Sequence, residues 1–241
     1  MPHTEATRSR SRCTNVHPAV YAGAMTRASS GPAATAVSRG DRKERTRRAI
    51  LDAALSLCAE SGLAGLSLRQ VAKEVGIVPT AFYRHFASID EVGLALVDES
   101  FVSLREMLRD VRRGRPEPAQ IIARSVEVLD EHVRQKRAHF GFIARERVGG
   151  TPVVQTAVRQ QLDLFERELA TDLVRLTGTE RWSNDDLQVL ANLIVTAMVS
   201  TAEAILLAAA RPGAEKDIVK RAETQLRMVV VGALNWESDH P

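Results

Sequence analysis

Cysteine and aromatic side chains are scarce in this 241-residue chain: two Cys, six Phe, two Tyr and two Trp. Cys13 and Cys58 cannot build a disulfide framework, and so low a count fits a reducing compartment. The N-terminus carries no apolar core of the length a secretory signal needs. A spanning helix wants ~20 mostly apolar residues. The richest stretch here, Leu190 to Ala210, is interrupted by Asn192, Thr196, Ser200, Thr201 and Glu203, so it reads as a buried helix. A cytoplasmic protein that does not enter a membrane is the expectation. No phosphate-binding glycine loop, nucleophile elbow or zinc-protease motif occurs, and no catalytic residues, cofactor or metal ligands are expected.

What the chain does have is helix-forming material. There are 33 alanines, 44% hydrophobic and 26% charged residues, and few β-branched runs that alternate with polar ones. The expected class is all-α. The net charge of +3 conceals a gradient: +4 over residues 1–40, +2 over 41–90 and −3 over the rest. A basic front on an acidic body places a polyanion at the N-terminal end; the bland alternative is a solubilising tail on an ordinary helical protein.

Residues 1–40, rich in Ser, Thr, Ala, Gly and Pro, read as a disordered basic arm, with order beginning at Asp41. Ile50, Ala53, Ala54 and Leu57 mark one face of a first helix, ended by Ser61-Gly62. Ser67 and Gln70 form a capping-box pattern that opens a short second helix, which Gly76 stops. Pro79 suits a first helical position, predicting a third helix through Phe86. Ser88 and Glu91 repeat the capping-box spacing and open a longer helix to about Arg113. The remainder reads as helices to about Arg137, from Phe140 to Val148, from Pro152 to about Leu176, from Ser183 to near Ala210, and from Ala214 to Trp236. Three units follow: the arm 1–40, a short-helix unit 41–88 and a helical body 89–241; the last two are a helix-turn-helix domain and a ligand-binding and dimerisation domain only by the resemblance given below.

The informative stretch is SLRQVAKEVGIVPTAFYRHF, Ser67 to Phe86. Two short helices flank Gly76-Ile77-Val78, a turn of the length a helix-turn-helix uses. Val71, Val75, Ile77, Phe82 and Phe86 are expected to pack inward, with Ala72 small at the crossing. Pro79, Thr80, Tyr83, Arg84 and His85 remain at the surface, where hydroxyl, phenol, guanidinium and imidazole can donate to phosphates or base edges. Upstream, Arg42, Lys43, Arg45, Arg47 and Arg48 cluster near the start of the first helix. Cations there oppose the helix dipole, which favours a phosphate-binding role over a structural one.

Arg48 through Val92 resembles the N-terminal DNA-binding domain of TetR-family transcriptional regulators. The resemblance rests on the alanine-rich first helix, Gly62, Leu68 with Val71-Ala72, Gly76-Ile77, and Phe82-Tyr83-Arg84-His85-Phe86 followed by Ser88. It implies that the third helix reads DNA, with Pro79, Thr80 and Ala81 at base edges and Tyr83 and His85 on the phosphate backbone. Arg69 matches a position that in some members reaches a base. The chain departs from the family at Ile89, where a lysine is common; Arg45, Arg47 and Arg48 are candidates to compensate. GIVPTAFYRHF, Asp90-Glu91, Val97-Asp98-Glu99-Ser100 and Arg145-Glu146-Arg147 further resemble the subgroup that represses fatty-acid biosynthesis and senses acyl-CoA. The partners so implied are palindromic double-stranded operator DNA, a small hydrophobic ligand such as long-chain acyl-CoA or fatty acid, and a second copy of the chain.

Phe140 to Arg147 is an apolar run closing on charges. It reads either as a core helix with its arginines in solvent or salt bridges, or as a ligand site. Under the subgroup resemblance, Phe140, Phe142 and Ile143 would line an acyl tunnel, with Arg145 or Arg147 at the head group and Arg134, Lys136 and Arg137 nearby. A multidrug-type pocket is the rival, although this domain offers few aromatics: Phe101, Phe140, Phe142, Phe165, Trp182 and Trp236. His132 and His139, seven apart, fall near one helix face but lack the partners of a metal site. Leu190, Ile194, Ala197, Thr201, Ala204 and Ala208, with Ile218, Ala222, Leu226, Val229 and Ala233, form stripes on the last two helices. These either pack on the body or, as the resemblance implies, join two subunits in a four-helix bundle. Ligand binding would then shift the fourth helix and change the spacing of two recognition helices. A helical protein-interaction module is the alternative outside this class.

Overall fold

The computed structural model describes residues 38–113, 120–174, 182–208 and 213–238. The arm expected over residues 1–40 falls outside them up to residue 37. Among the described residues the chain is all-α, with nine helices and no strand. Helix α1, Arg39–Ser61, starts two residues before the expected Asp41 because Ser38 caps it. The Asp41 amide donates to Ser38 Oγ at 3.1 Å, and the Ser38 amide donates back to the Asp41 carboxylate at 3.2 Å. Its buried face carries Ile50, Leu51, Ala54, Leu55 and Cys58.

Helix α2, Leu68–Val75, opens on the anticipated reciprocal cap between Ser67 and Gln70. It closes at Gly76, whose φ of +73° lies in the left-handed region that glycine enters without strain. There the Gly76 amide bonds the Lys73 carbonyl (3.1 Å) and the Ile77 amide the Ala72 carbonyl (2.9 Å), a paired closure that satisfies two orphan carbonyls. Helix α3 is shorter than expected, Pro79–Phe82 rather than 79–86. After one turn the bonds tighten to an i→i+3 pattern, with the Arg84 amide on Ala81 and that of His85 on Phe82. Both Phe82 and Phe86 nonetheless reach the core, and Ser88 Oγ accepts the Glu91 amide to start the next helix.

The body comprises α4 (Ile89–Arg113), α5 (Ile121–Gln135), α6 (Arg137–Gly149), α7 (Pro152–Leu173), α8 (Asn184–Ala208) and α9 (Ala214–Leu234). A break at Lys136 shortens the fifth helix and places His132 and His139 on different helices, not on one face. His132 Nε2 sits 3.0 Å from Asp110, while His139 Nδ1 sits 3.0 Å from Ser100 Oγ on α4. Thr151 does not cap α7; its hydroxyl donates to Asp90 at the start of α4 (2.8 Å). Helix α4 packs against α1, α5, α6 and α7. Gly93 lets it come close: a Cβ there would overlap the Leu63 side chain and lie 2.8 Å from Val154. The main core runs from Ile50 and Phe82 through Leu96, Val97 and Phe101 to Val133, Val158 and Ile205. Each such side chain contributes ~1.5–3 kcal/mol of transfer free energy when fully buried.

Helix α8 is long and apolar enough to cross a bilayer by length and composition. Here it packs against α5, α6, α7 and α9. The stripes on the last two helices pack within the chain, the first of the two roles open to them. Leu190, Ile194 and Ala197 of α8 meet Ala222, Leu226, Val229 and Ala233 of α9 within one chain. Small residues allow that close pairing, in which Ala222 and Leu226 are buried and Ile194, Ala197, Val229 and Ala233 are half-buried. The apolar side chains left outward are Val189, Leu193 and Leu207 on α8 and Met228, Val231 and Leu234 on α9, with Leu207 80% exposed.

Candidate DNA interface and ligand cavity

Two regions of the chain bring candidate functional residues together. The first is the surface built by α1, α2 and α3. Phe82 and Phe86, both essentially fully buried, anchor the segment that follows the turn, with ring centroids 6.1 Å apart. That anchoring turns Pro79, Thr80, Tyr83 and Arg84 outward, Tyr83 being 60% exposed. Ala81 and His85 are half-buried. Burial first, then the charges of Lys43, Arg47 and Arg84, hold His85 below the ordinary histidine range, so at neutral pH it offers one N–H without charge. Its Nδ1 is buried without a protein partner. Arg69 is exposed on α2.

The basic cluster of α1 divides three ways. Arg45 is exposed and turns back to the Asp41 carbonyl at 3.4 Å. Arg47 lies over the Phe86 ring, its Cζ 4.4 Å from the centroid, which fixes the guanidinium at the rim of the surface. Arg48 faces the body: it pairs with Asp52 at 3.0 Å and with Glu99 of α4 at 2.7 Å. Sequence spacing could not reveal that engagement, because Glu99 is 51 residues away. Ile89 packs against the core, so apolar contact occupies the position where the family often has lysine.

The second region is a cavity of about 50 Å³ between α4, α5, α6, α7 and α8. Leu104, Met107, Leu129, Phe140, Ile143, Leu162, Phe165, Val195, Met198 and Leu206 are among its walls. Its charged lining residues are Arg147 and Glu203, joined at 2.5 Å. The same pair also lines an open cleft with Arg159, Asp163, Glu166, Thr196 and Ser200. Arg147 and Glu203 therefore stand between an apolar interior and a polar surface. Arg147 Nε is buried with no acceptor.

Of the ligand residues expected from sequence, Phe140, Ile143 and Arg147 line this cavity; Phe142 and Arg145 do not. The reason is helical phase. Residues 140, 143, 144 and 147 share one face of α6, and 142, 145 and 146 share the opposite one. Arg145 reaches α1, donating to the carbonyls of Ala59 (2.8 Å) and Glu60 (3.1 Å). Arg134 and Arg137 are engaged elsewhere, with Asp130 and with the Leu206 carbonyl. Cavity residues from other helices, such as Met107, Met198 and Leu206, gave no sequence signal beyond being apolar. Among the described residues no group of His, Cys, Asp and Glu could hold a metal. Cys58 is buried, and desolvation, reinforced by the charge of Glu146, pushes its thiol up to about 12, which leaves it inert.

Residues 50–96 match the family described as bacterial regulatory proteins, tetR family. The matched span begins in α1, covers the helix-turn-helix and ends in α4. Over that span the chain is similar to the N-terminal domain of tetR-family regulators. Solved structures share the fold across most of their length. A transcriptional regulator from Rhodococcus sp. Rha1 is 23% identical, with a TM-score of 0.59 over 79% of this chain and 99% of that one. The fatty acid degradation regulator FadR from Bacillus halodurans is 12% identical, with a TM-score of 0.62 over 78% and 95%. The multidrug binding protein EbrR, solved with imidazole, is 17% identical, with a TM-score of 0.50 over 74% and 93%.

Proposed function

We propose that this chain is a cytoplasmic homodimeric repressor that binds palindromic operator DNA and responds to a long-chain acyl ligand, acyl-CoA or fatty acid. Residues 41–88 form its DNA-binding domain and 89–241 its ligand-binding and dimerisation domain. Pro79, Thr80 and Ala81 face base edges. Tyr83, Arg84 and His85 hold the phosphate backbone, with Arg45, Arg47 and Arg69 around them. The carrying observation is the anchoring of Phe82 and Phe86, which presents Thr80, Tyr83 and Arg84 on one exposed surface. Arg48, paired to Glu99, braces α1 on α4 instead of meeting DNA. Dimerisation uses the outward apolar residues of α8 and α9, Leu193, Leu207 and Met228 foremost, in place of the small-residue stripes.

The acyl reading is supported by the cavity's apolar walls and by the buried donor at Arg147 Nε, which calls for an acceptor such as a carboxylate or thioester carbonyl. The fatty-acid regulator among the similar folds agrees with it. A multidrug ligand is the second reading, favoured by Glu203 in the cavity wall and by the likeness to EbrR. Ligand pockets usually hold ~300–1,000 Å³, so a long acyl chain requires the walls of this cavity of about 50 Å³ to move apart. Thermal stabilisation separates the readings: palmitoyl-CoA should raise the melting temperature more than free CoA or ethidium. A rise with ethidium alone would replace the acyl ligand by a hydrophobic cation. For DNA, Tyr83→Phe should weaken all sequences alike and Thr80→Ala should change sequence preference; equal effects would refute the division of roles.

A further inference from the structure

Glu146 is a buried carboxylate with a tailored seat. It is 1% exposed, and its Oε1 accepts the Leu63 amide at 2.9 Å, in the loop between α1 and α2. Its Oε2 is buried without a protein partner. Gly150 leaves the space for it, since a Cβ there would lie 2.8 Å from Oε2 and 2.5 Å from the Glu146 carbonyl oxygen. One residue earlier, Arg145 closes on the Ala59 and Glu60 carbonyls at the C-terminal end of α1. No basic residue of α1 itself lies in that last turn, so Arg145 supplies the cation from outside. One residue later, Arg147 lines the cavity and pairs with Glu203.

As cohesion between helices this arrangement is a poor choice. A buried carboxylate with one hydrogen bond forfeits more hydration than it regains, and an apolar side chain would pack as well. What the pair does provide is a directional tie between two particular segments. We infer that Arg145 and Glu146 are positioning residues that transmit the state of the cavity to the helix-turn-helix, by gripping the end of α1 and the Leu63 amide from the back of the helix whose front lines the cavity. The inference rests on the reading above that a ligand enters this cavity. A ligand larger than about 50 Å³ must displace its walls, and α6 is one of them. Moving α6 draws the carboxylate off Leu63, four residues before the cap of α2. The coupling element is thus a packed helix with two opposed faces, a physical link and not merely an intermediate position.

The test uses the full-length protein and needs neither DNA nor ligand. Ala202→Phe fills the cavity from α8 and is placed in wild-type, Glu146→Gln and Glu146→Ala backgrounds. Amide exchange at Leu63 is read by NMR or by overlapping peptides. In wild type and in Glu146→Gln, whose amide oxygen still accepts, the filler should speed Leu63 exchange by about tenfold or more. In Glu146→Ala that amide should already exchange fast, and the filler should change it less than about twofold. No acceleration in wild type, or equal acceleration in Glu146→Ala, overturns the inference. If Ala202→Phe lacks a native circular dichroism spectrum, Val199→Phe replaces it; Glu146→Leu, which also removes the acceptor, replaces Glu146→Ala on the same condition. Adding palmitoyl-CoA to wild type provides a separate arm. If that probe does not bind while the filler still acts through Glu146, the acyl reading fails and the coupling stands.

Discussion

Phe86→Ala tests whether two aromatic anchors hold the DNA-reading surface in place. Phe86 is 1% exposed, packs on Phe82 and carries the Arg47 guanidinium on its outer face. Truncating a buried Phe costs ~3–5 kcal/mol through lost transfer energy and the cavity left behind. Loss of the Arg47 contact, at a half-exposed site, adds ~0.5–1 kcal/mol. The sum, about 3.5–6 kcal/mol, is a large part of the ~5–15 kcal/mol that holds a typical domain. Phe86→Leu keeps most of the volume and should cost about 1–2 kcal/mol, chiefly the ring's contact with Arg47 and a modest packing loss. Urea unfolding followed by far-UV circular dichroism measures both. Trp182 and Trp236 line one cleft between α8 and α9, outside the core cluster that holds Phe86, so tryptophan fluorescence reports that part of the body. DNA affinity should vanish in Phe86→Ala, while the fluorescence transition moves less than the dichroism transition. A loss under ~1.5 kcal/mol for Phe86→Ala, or unchanged DNA binding, would refute the anchoring argument.

Cys58 should resist alkylation at pH 8 in a Cys13→Ser background and react only on unfolding, because burial pushes its thiol up to about 12; rapid native labelling would contradict this. Burial holds His139 below its ordinary value, with Lys136 and Arg48 adding to the shift and Glu99 opposing it. The unfolded chain therefore binds that proton at a higher pH than the native one, so stability falls as pH drops through ~6.5, by up to ~1.4 kcal/mol per pH unit for one proton. His139→Gln should flatten the acid limb between pH 6.5 and 5; an unchanged limb would assign it to other groups. Leu207→Glu, at an 80% exposed site, should leave the monomer within ~0.5 kcal/mol of wild type and yet weaken the dimer at least tenfold in sedimentation equilibrium. An intact dimer would move the interface off this face.

Caps and stops were legible in the sequence because they are local chemistry. Ser67 with Gln70, Gly76, Ser88 with Glu91, and Ser183 before α8 all act within four residues of themselves. The inward course of Phe82 and Phe86 was legible for the same reason, as periodicity. What the sequence does not show is what depends on distant partners. Arg48 looked like its neighbours Arg45 and Arg47 until Glu99 was placed beside it. The small-residue stripes of α8 and α9 fit a contact between helices, but nothing in them says whether the second helix belongs to the same chain. Arg145, Glu146 and Arg147 are adjacent in sequence, and helical phase sends them to opposite sides of α6. Glu146 stands out in the sequence only as part of a motif, since a buried acceptor for Leu63 has no signature in its own neighbours.

Operator binding is the direct measure of the central claim. Full-length protein is titrated against palindromic duplexes, taken from upstream of its own gene or selected from a random pool, across a range of salt. Specific binding as a dimer is expected, with recognition helices ~34–36 Å apart. The affinity should fall steeply with salt, by a slope of about −0.9 per neutralised phosphate on logarithmic axes. Folded protein that shifts no duplex at low salt, or binds with no salt dependence, contradicts it.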